Sequence, residues 1–174
     1  MQTIPTINKR IIDTSQEVIT WLDNQDTEKW NRGPEGKWDT SQHISHLIKT
    51  AVMVTKGLSI PKIMLRWKFG KTNRPLRDSA AIIEKYRSKL AETPPGTTFA
   101  ASAGVSNTDK KEVIQQYAHS ISRLNQTIDK SWSESALDKH LLPHPLMGRM
   151  PVRELLMWVS LHHIHHLDTL KTQY

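Results

Sequence analysis

Four long stretches of the chain repeat apolar residues every three or four positions, which is the spacing of one buried helix face. They run from about Thr6 to Asn24, from Asp39 to about Lys56, from Asp109 to about Trp132 and from Pro151 to about Lys171. The third stretch is the most regular, with its apolar stripe at Val113, Tyr117, Ile121, Leu124 and Ile128. No stretch alternates apolar and polar residues between turn residues, as hairpin strands do. The pattern predicts an all-α protein.

Capping residues and helix breakers mark several ends of these predicted helices. Thr6 is the candidate N-cap of the first helix, and the cluster Asp39-Thr40-Ser41 is the candidate cap of the second. Gly57 is the candidate C-terminal stop of the second helix, and Pro151 suits the first position of the last one. The predicted bounds therefore rest on local signals as well as on periodicity.

The connections between the helices differ in length and composition. A basic loop is expected after Gly57, and residues 133–150, SESALDKHLLPHPLMGRM, are expected to form another loop. A shorter helix fits residues 78–92, because the sequence Pro-Pro-Gly follows it and proline cannot continue a helix. Residues 93–108 are expected to be irregular. We therefore predict a four-helix bundle with a short auxiliary helix around residues 78–92, built as a single domain over residues 1–174.

Composition narrows the class of protein further. No apolar run approaches the roughly 20 residues of a membrane-spanning helix, and the start, MQTIPTINKR, lacks the pattern of a secretory signal. We therefore expect a cytoplasmic protein with no membrane partner. The chain contains no cysteine, which excludes disulfides, zinc–thiolate sites and thiol nucleophiles. Any bound metal must be held by nitrogen or oxygen.

Positive charge is concentrated in one segment. The chain carries 24 lysines and arginines against 17 acidic residues, a net charge of +7, and residues 53–77 hold seven basic side chains and no acidic one. Clustered positive charge can attract nucleic acid or an acidic ligand. No recognised nucleic-acid-binding motif accompanies these charges, so a solvated basic connection is the simpler interpretation. We do not expect a nucleic-acid partner.

Four of the nine histidines lie within residues 160–171, SLHHIHHLDTLK. Helical spacing predicts an inward stripe on the last helix formed by Leu155, Val159, His162, His166 and Leu170. Histidines four residues apart lie one above the other and can bind one ion. His163 falls at the edge of the stripe and His165 outside it, which favours surface positions or positions behind the ligands. The alternative is that His162 and His166 are neutral core residues satisfied by hydrogen bonds, without a metal.

A metal site needs a third ligand, and the second helix offers two histidines for it. His43 and His46 are both candidates, whereas His119, His140 and His144 are less well placed to converge with the last helix. The periodicity of the second helix does not choose between them. One apolar face passes through Ile44, Ile48 and Ala51, and another passes through His43, Leu47 and Val54.

Two motifs resemble those of one known family. The stretch GKWDTSQHISHLI is similar to the second-helix motif of the DinB/YfiT-like superfamily, and HPLMGRMPVRELLMWVSLHHIHHLDTL resembles its closing motif. The resemblance implies a four-helix bundle that holds a divalent metal, usually zinc or nickel, through one histidine of the second helix and two of the last. Those positions correspond to His46, His162 and His166. His43 is the alternative ligand.

The resemblance also implies two kinds of reaction on a small-molecule substrate. Similar proteins include proposed metal-dependent hydrolases and transferases that use a low-molecular-weight thiol such as bacillithiol or mycothiol. Three neutral imidazoles leave a divalent ion an open position, where water can become hydroxide or a thiol can become thiolate. No glutamate lies between the ligands as in the H-E-x-x-H motif, which disfavours zinc-peptidase chemistry. A thiol route would need the thiol as a cosubstrate, since the chain has no cysteine.

Further residues are candidates for supporting roles. Candidates to orient the ligands through their second ring nitrogens are His43, His163 and Asp168. Candidates to attract a carboxylated or phosphorylated substrate are Lys68, Lys71 and Arg74. The alternative function is a non-catalytic binding module that uses the pocket or the basic surface of residues 53–77. A homodimer is compatible with such bundles, but no sequence feature locates an interface.

Overall fold

The computed structural model of the protein describes residues 2–94 and 109–173, and most of these residues are helical. The long helices are α1 (Ile4–Asp23), α2 (Thr40–Leu58), α5 (Lys110–Ser131) and α7 (Val152–Gln173). The shorter elements are a 3₁₀ turn (Thr27–Lys29), α3 (Lys62–Phe69), α4 (Ser79–Ala91), α6 (Glu134–Lys139), β1 (Leu141–His144) and β2 (Gly148–Pro151). Helix α2 packs against α5 and α7, and α1 packs against α5 and α7. This arrangement confirms the predicted four-helix bundle.

The first helix begins earlier than predicted. Thr3, and not Thr6, is its N-cap, because the Oγ1 atom of Thr3 accepts a hydrogen bond from the backbone N–H of Thr6. Pro5 lies in the first turn, where its missing N–H leaves no hydrogen bond unmade. The local signal was therefore present, one turn before the predicted cap.

Helix α2 has the predicted N-terminal cap but not the predicted end. Asp39 and Gln42 form a reciprocal capping box, with both hydrogen bonds at 2.8 Å. The helix continues through Gly57 to Leu58, so Gly57 as a stop was wrong. A Cβ atom at position 57 would lie 3.2 Å from Cδ2 of Leu142 on β1. Glycine at this position therefore allows the hairpin to approach the helix closely.

Two segments predicted as loops contain regular structure. The basic connection contains helix α3, which buries only Leu65 and has no side-chain cap, so it shows no stripe that periodicity could detect. The predicted loop of residues 133–150 contains α6 and an antiparallel hairpin that pairs Leu142 with Met150. Strands of four residues are too short for a visible alternation pattern. Pro151 ends β2 and is not the first residue of α7.

The remaining helix predictions agree with the structure. Helix α4 is the expected auxiliary helix, capped by Asp78, and the whole predicted stripe of α5 is buried. Residues 95–108, which cover most of the segment expected to be irregular, lie outside the described residues. Among the described helices, none combines the length and apolar character that crossing a bilayer would require.

Helix α7 is the central element of the fold. All residues from 152 to 160 are buried, so its first half has no exposed face. Two charged side chains are buried in its first turn, and both are ion-paired. Arg153 pairs with Glu134 and Asp138, and Glu154 pairs with the two arginines of the α3–α4 connection. These pairs attach the peripheral segments to the helix that carries four of the histidines.

Candidate metal centre

Three histidines from α2 and α7 converge on one point. The Nε2 atom of His162 lies 3.2 Å from Nε2 of His46 and 2.9 Å from Nε2 of His166. One nitrogen from each ring lies within 4.8 Å of the other two. His162 and His166 are buried, and His46 is half-buried. The bundle therefore brings together side chains that are 116 positions apart in the chain.

The chemistry of this group fits a divalent cation. A ring nitrogen offers either one hydrogen or one lone pair, yet Nε2 of His162 faces two other ring nitrogens at hydrogen-bonding distance. A divalent cation would instead accept a lone pair from each of the three rings. A tetrahedral zinc site with Zn–N bonds of 2.0–2.1 Å places its nitrogens about 3.3 Å apart. The observed separations of 2.9 and 3.2 Å are close to that spacing.

All three imidazoles are held in the neutral form that metals bind. Burial, together with the neighbouring histidines, lowers the pKa of His162 and of His166 well below the usual value. Burial, followed by Lys49 and His165, lowers the pKa of His46 to about 4. Near neutral pH each ring therefore keeps a lone pair available for a ligand bond.

The structure separates the roles of His43 and His46. His46 belongs to the group of three, whereas Nδ1 of His43 lies 2.8 Å from Nδ1 of His166, on the other side of that ring. A hydrogen bond to the second ring nitrogen is the usual way in which proteins orient a metal-binding histidine. Trp38 covers this pair, with its ring parallel to His166 and edge-on to His43.

His163 lies in the core, so its expected surface position was wrong. Only 1% of the residue is exposed, and its Nδ1 atom lies 3.2 Å from Oγ1 of Thr14 on α1. Its ring packs edge-on against Tyr117 on α5. The ring of His163 therefore lies against α1 and α5, away from the three clustered histidines.

The other residues expected near the cluster have separate environments. His165 is half-buried beside His166, with its ring centroid 5.4 Å from that of His166. Asp168 is exposed, and its negative charge acts on the neighbouring His165. Burial, followed by Arg87, lowers the pKa of His165, and Asp168 opposes that shift.

The three basic residues expected to attract substrate lie in different surroundings. Lys68 lines the cavity beside the three clustered histidines, and Lys71 is exposed. Arg74 instead donates two hydrogen bonds to the fully buried carboxylate of Glu154, at 2.6 and 2.7 Å. Its charge is therefore compensated within the protein, which favours a structural role for Arg74. Attraction of substrate stays a prediction for Lys68 and Lys71.

A cavity of about 450 Å³ opens beside the cluster. His46, His162 and His166 form part of its wall, and most of the other lining side chains are apolar. The apolar lining includes Trp38, Met53, Val54, Phe69, Leu146 and Trp158. The described residues that line the cavity include no aspartate or glutamate. Lys68 is the one lysine or arginine side chain among them. The cavity suits an apolar small molecule.

Sequence reasoning missed several residues of this wall. Trp158 stacks on His162 with ring centroids 4.4 Å apart, and its position four residues before His162 could have identified it. Tyr86 of α4 packs edge-on against the same histidine. His144, set aside as poorly placed, lines the cavity from the end of β1, with its ring centroid 4.3 Å from that of Trp158. Burial lowers the pKa of His144 to about 4, so its ring is neutral.

Comparisons with known proteins agree with the fold. The family model of the DinB superfamily matches residues 10–170. A solved structure titled "TT2238, a four-helix bundle protein" is 14% identical, with a TM-score of 0.62 over 98% of this chain and 100% of the other. A mycothiol-dependent maleylpyruvate isomerase is 17% identical, with a TM-score of 0.60 over 97% of this chain and 63% of the other. At these identities the two likenesses show the fold alone. Comparison with curated protein sequences found no significant match.

Proposed function

Because the chain belongs to the DinB superfamily, we propose that it is a metal-dependent enzyme that transfers a low-molecular-weight thiol to an apolar small molecule. In this proposal His46, His162 and His166 hold a divalent ion, zinc or nickel, through their Nε2 atoms. The observation that carries the proposal is the convergence of three neutral imidazole nitrogens at the wall of an apolar cavity. Catalytic sites, unlike structural ones, combine three protein ligands with access for substrate.

The residues around the cluster have defined tasks in such a reaction. A bound divalent ion would supply the positive charge that keeps a thiol in its thiolate form near neutral pH. His43 orients His166 through their Nδ1 atoms. Trp38 and Trp158 cover the histidine rings and exclude water. In the transfer, the S–H bond loses its proton to solvent and a carbon–sulfur bond forms at an electrophilic carbon. The leaving group departs with the electron pair of its bond.

The lining of the cavity favours a thiol cosubstrate over hydrolysis by activated water. The thiol would enter with a small molecule, since the chain contains no cysteine. The described lining of the cavity contains no carboxylate that could act as a general base for water, whereas a thiol, being more acidic than water, can lose its proton to solvent. One similar structure is named for its dependence on mycothiol, which supports the same choice.

Metal content tests the first part of the proposal, and adjacent histidines provide a matched control. We expect protein purified without a histidine tag to contain about one equivalent of metal by elemental analysis. His162→Ala should lose it. His163→Ala should retain it, since His163 is equally buried but faces Thr14. Undiminished metal in folded His162→Ala protein would refute the site.

Activity profiling tests the second part. Metal-loaded protein should be assayed with bacillithiol, mycothiol and glutathione against an aromatic electrophile such as 1-chloro-2,4-dinitrobenzene, and with aryl esters in the absence of thiol. We expect turnover that requires one of the thiols and is lost in His162→Ala. Ester cleavage without any thiol would instead assign the protein to the hydrolases. Absence of both metal and turnover would leave the non-catalytic binding function.

A further inference from the structure

Helix α3 carries an exposed apolar face. Trp67 is 88% exposed, Ile63 is 78% exposed and Met64 is 55% exposed. Ile63 lies four positions before Trp67 and Met64 lies three before it, so the three side chains are neighbours on one side of the helix. Contiguous exposed apolar side chains, unlike single ones, are typical of interaction surfaces.

The opposite side of α3 is already used by the fold. Leu65 is completely buried, and α3 packs against β1 of the hairpin. The ammonium group of Lys62 donates a hydrogen bond to the backbone carbonyl of Ser131 and lies over the ring of Trp132. The helix is therefore held by its inner side, and the described residues leave the outer apolar face uncovered.

Positive charges flank the apolar face. Successive residues of a helix are about 100° apart around its axis, so Arg66 and Lys68 lie on either side of Trp67. Both are exposed, as is Lys71 just beyond the helix, and none of the three forms an ion pair with a described residue. Residues 53–77 contain no acidic side chain. The face therefore combines an apolar centre with basic edges.

This combination fits the surface of an anionic lipid bilayer. Apolar side chains can enter the boundary between headgroups and acyl chains while the cations stay beside the lipid phosphates, and tryptophan is suited to that boundary. A second copy of the chain fits less well, because a twofold interface would bring the same positive side chains together. Nucleic acid would match the charges but would offer Ile63 and Met64 no apolar layer to enter.

We propose that α3 binds the protein to the surface of an anionic lipid bilayer, with Ile63, Met64 and Trp67 inserted and Arg66 and Lys68 at the edges. No membrane partner was expected from the sequence, because its apolar runs are too short to span a bilayer. Lying on a bilayer requires only an apolar face with basic flanks.

The position of this face relates it to the cavity. Lys68 and Phe69, at the end of α3, also line the cavity beside the three clustered histidines. Binding through α3 would therefore place the cavity next to apolar molecules dissolved in the lipid. The inference itself does not depend on the metal site.

Vesicle sedimentation of the full chain tests the surface. We expect wild-type protein to bind vesicles of phosphatidylcholine with phosphatidylglycerol more strongly than vesicles of phosphatidylcholine alone, and less strongly as salt screens the charges. Trp67→Gln should lower the partition coefficient about tenfold, and Arg66→Gln about fivefold. Two matched controls should bind like the wild type. Ile12→Gln removes an exposed apolar side chain from α1, and Lys111→Gln removes an exposed cation from α5.

A fluorescent label locates the inserted face. The chain contains no cysteine, so one introduced cysteine gives a single labelling site. Met64→Cys carrying an environment-sensitive nitrobenzoxadiazole dye should become brighter, with emission at shorter wavelength, when vesicles containing phosphatidylglycerol are added. The same label on Gln16→Cys, at an exposed position of α1, should not change.

Several results would overturn the proposal. These are the absence of wild-type binding to the anionic vesicles, an unchanged Met64→Cys label, and equal effects of Trp67→Gln and Ile12→Gln. A wild-type dimer that Trp67→Gln converts to a monomer would instead assign the face to a second copy of the chain. Retention on a single-stranded oligonucleotide without vesicle binding would assign it to nucleic acid. None of these measurements involves metal or turnover, so their failure is distinguishable from failure of the proposed function.

Discussion

Replacing Arg74 with glutamine is expected to destabilise the protein rather than to weaken attraction of substrate. The carboxylate of Glu154, 0% exposed, accepts hydrogen bonds from Nη1 and Nη2 of Arg74 at 2.6 and 2.7 Å. It also accepts from the backbone N–H of Arg77 at 2.7 Å. The Arg74→Gln substitution removes the bidentate partner and leaves a buried negative charge with fewer donors.

The magnitude of the loss follows from what remains around the carboxylate. Removing one partner of a buried ion pair costs roughly 3–5 kcal/mol. Nη1 of Arg77 stays 3.2 Å from Glu154, and the side chain of Arg74 is 30% exposed, so part of the charge remains compensated. We therefore expect a loss at the lower end of that range, about 3 kcal/mol.

Urea unfolding of four proteins measures this value and assigns it to the pair. These are the wild type, Arg74→Gln, Glu154→Gln and the double variant, with Lys71→Gln as an exposed control from the same segment. The double variant should lose less stability than the sum of the single variants, by about 1–3 kcal/mol, since the two side chains are in contact. A loss below about 1 kcal/mol in Arg74→Gln, or strictly additive losses, would refute the reasoning. Arg74 would then again be a candidate to attract substrate.

Three further predictions concern the histidine cluster, the hairpin contact and acid stability. His43→Leu should weaken metal binding by about 10- to 100-fold in competition with a chromogenic chelator, because Nδ1 of His166 loses its partner at 2.8 Å; unaltered affinity would show that the contact does not orient the ligand. Gly57→Val should lower the unfolding free energy by about 1–3 kcal/mol, because Cβ alone would lie 3.2 Å from Leu142; an equal or higher denaturation midpoint would contradict this. Burial raises the pKa of Glu154, but its hydrogen bonds outweigh burial and hold the pKa below 4.5. The ionised Glu154 carboxylate therefore contributes its full stabilisation above pH 4.5. This contribution is lost as the pH falls through the folded-state pKa of Glu154. Wild-type protein should lose more stability than Glu154→Gln over that acid range, and parallel pH profiles would rule this out.

The helical core could be read from local information alone. The stripe of α5 and the cap of α2 at Asp39 depend on residues within one or two turns of each other, and the structure has both. The pair His162 and His166 also follows from a spacing within one helix. Each of these features depends only on residues close together in the chain, since a helix places residues three and four apart on one face whatever packs against it.

The walls of the cavity could not be read in this way. Helix α3 has a single buried residue, and the hairpin has strands of four residues, so neither shows a periodic pattern. Their positions depend on contacts between residues distant in the chain, such as the close approach of Leu142 on β1 to Gly57 on α2. His144 was missed for the same reason, because its place in the cavity depends on the position of the hairpin against α7.

The sequence by itself determined that the chain forms amphipathic helices, that one of them carries paired histidines, and that no cysteine thiol is present. Only the tertiary structure decided that His46 joins the pair while His43 lies behind His166. It also decided that His163 is buried against Thr14. These outcomes depend on the rotation of each helix about its axis. That rotation is set by packing against neighbours distant in the chain, and positions three apart on a helix differ too little for periodicity to distinguish them.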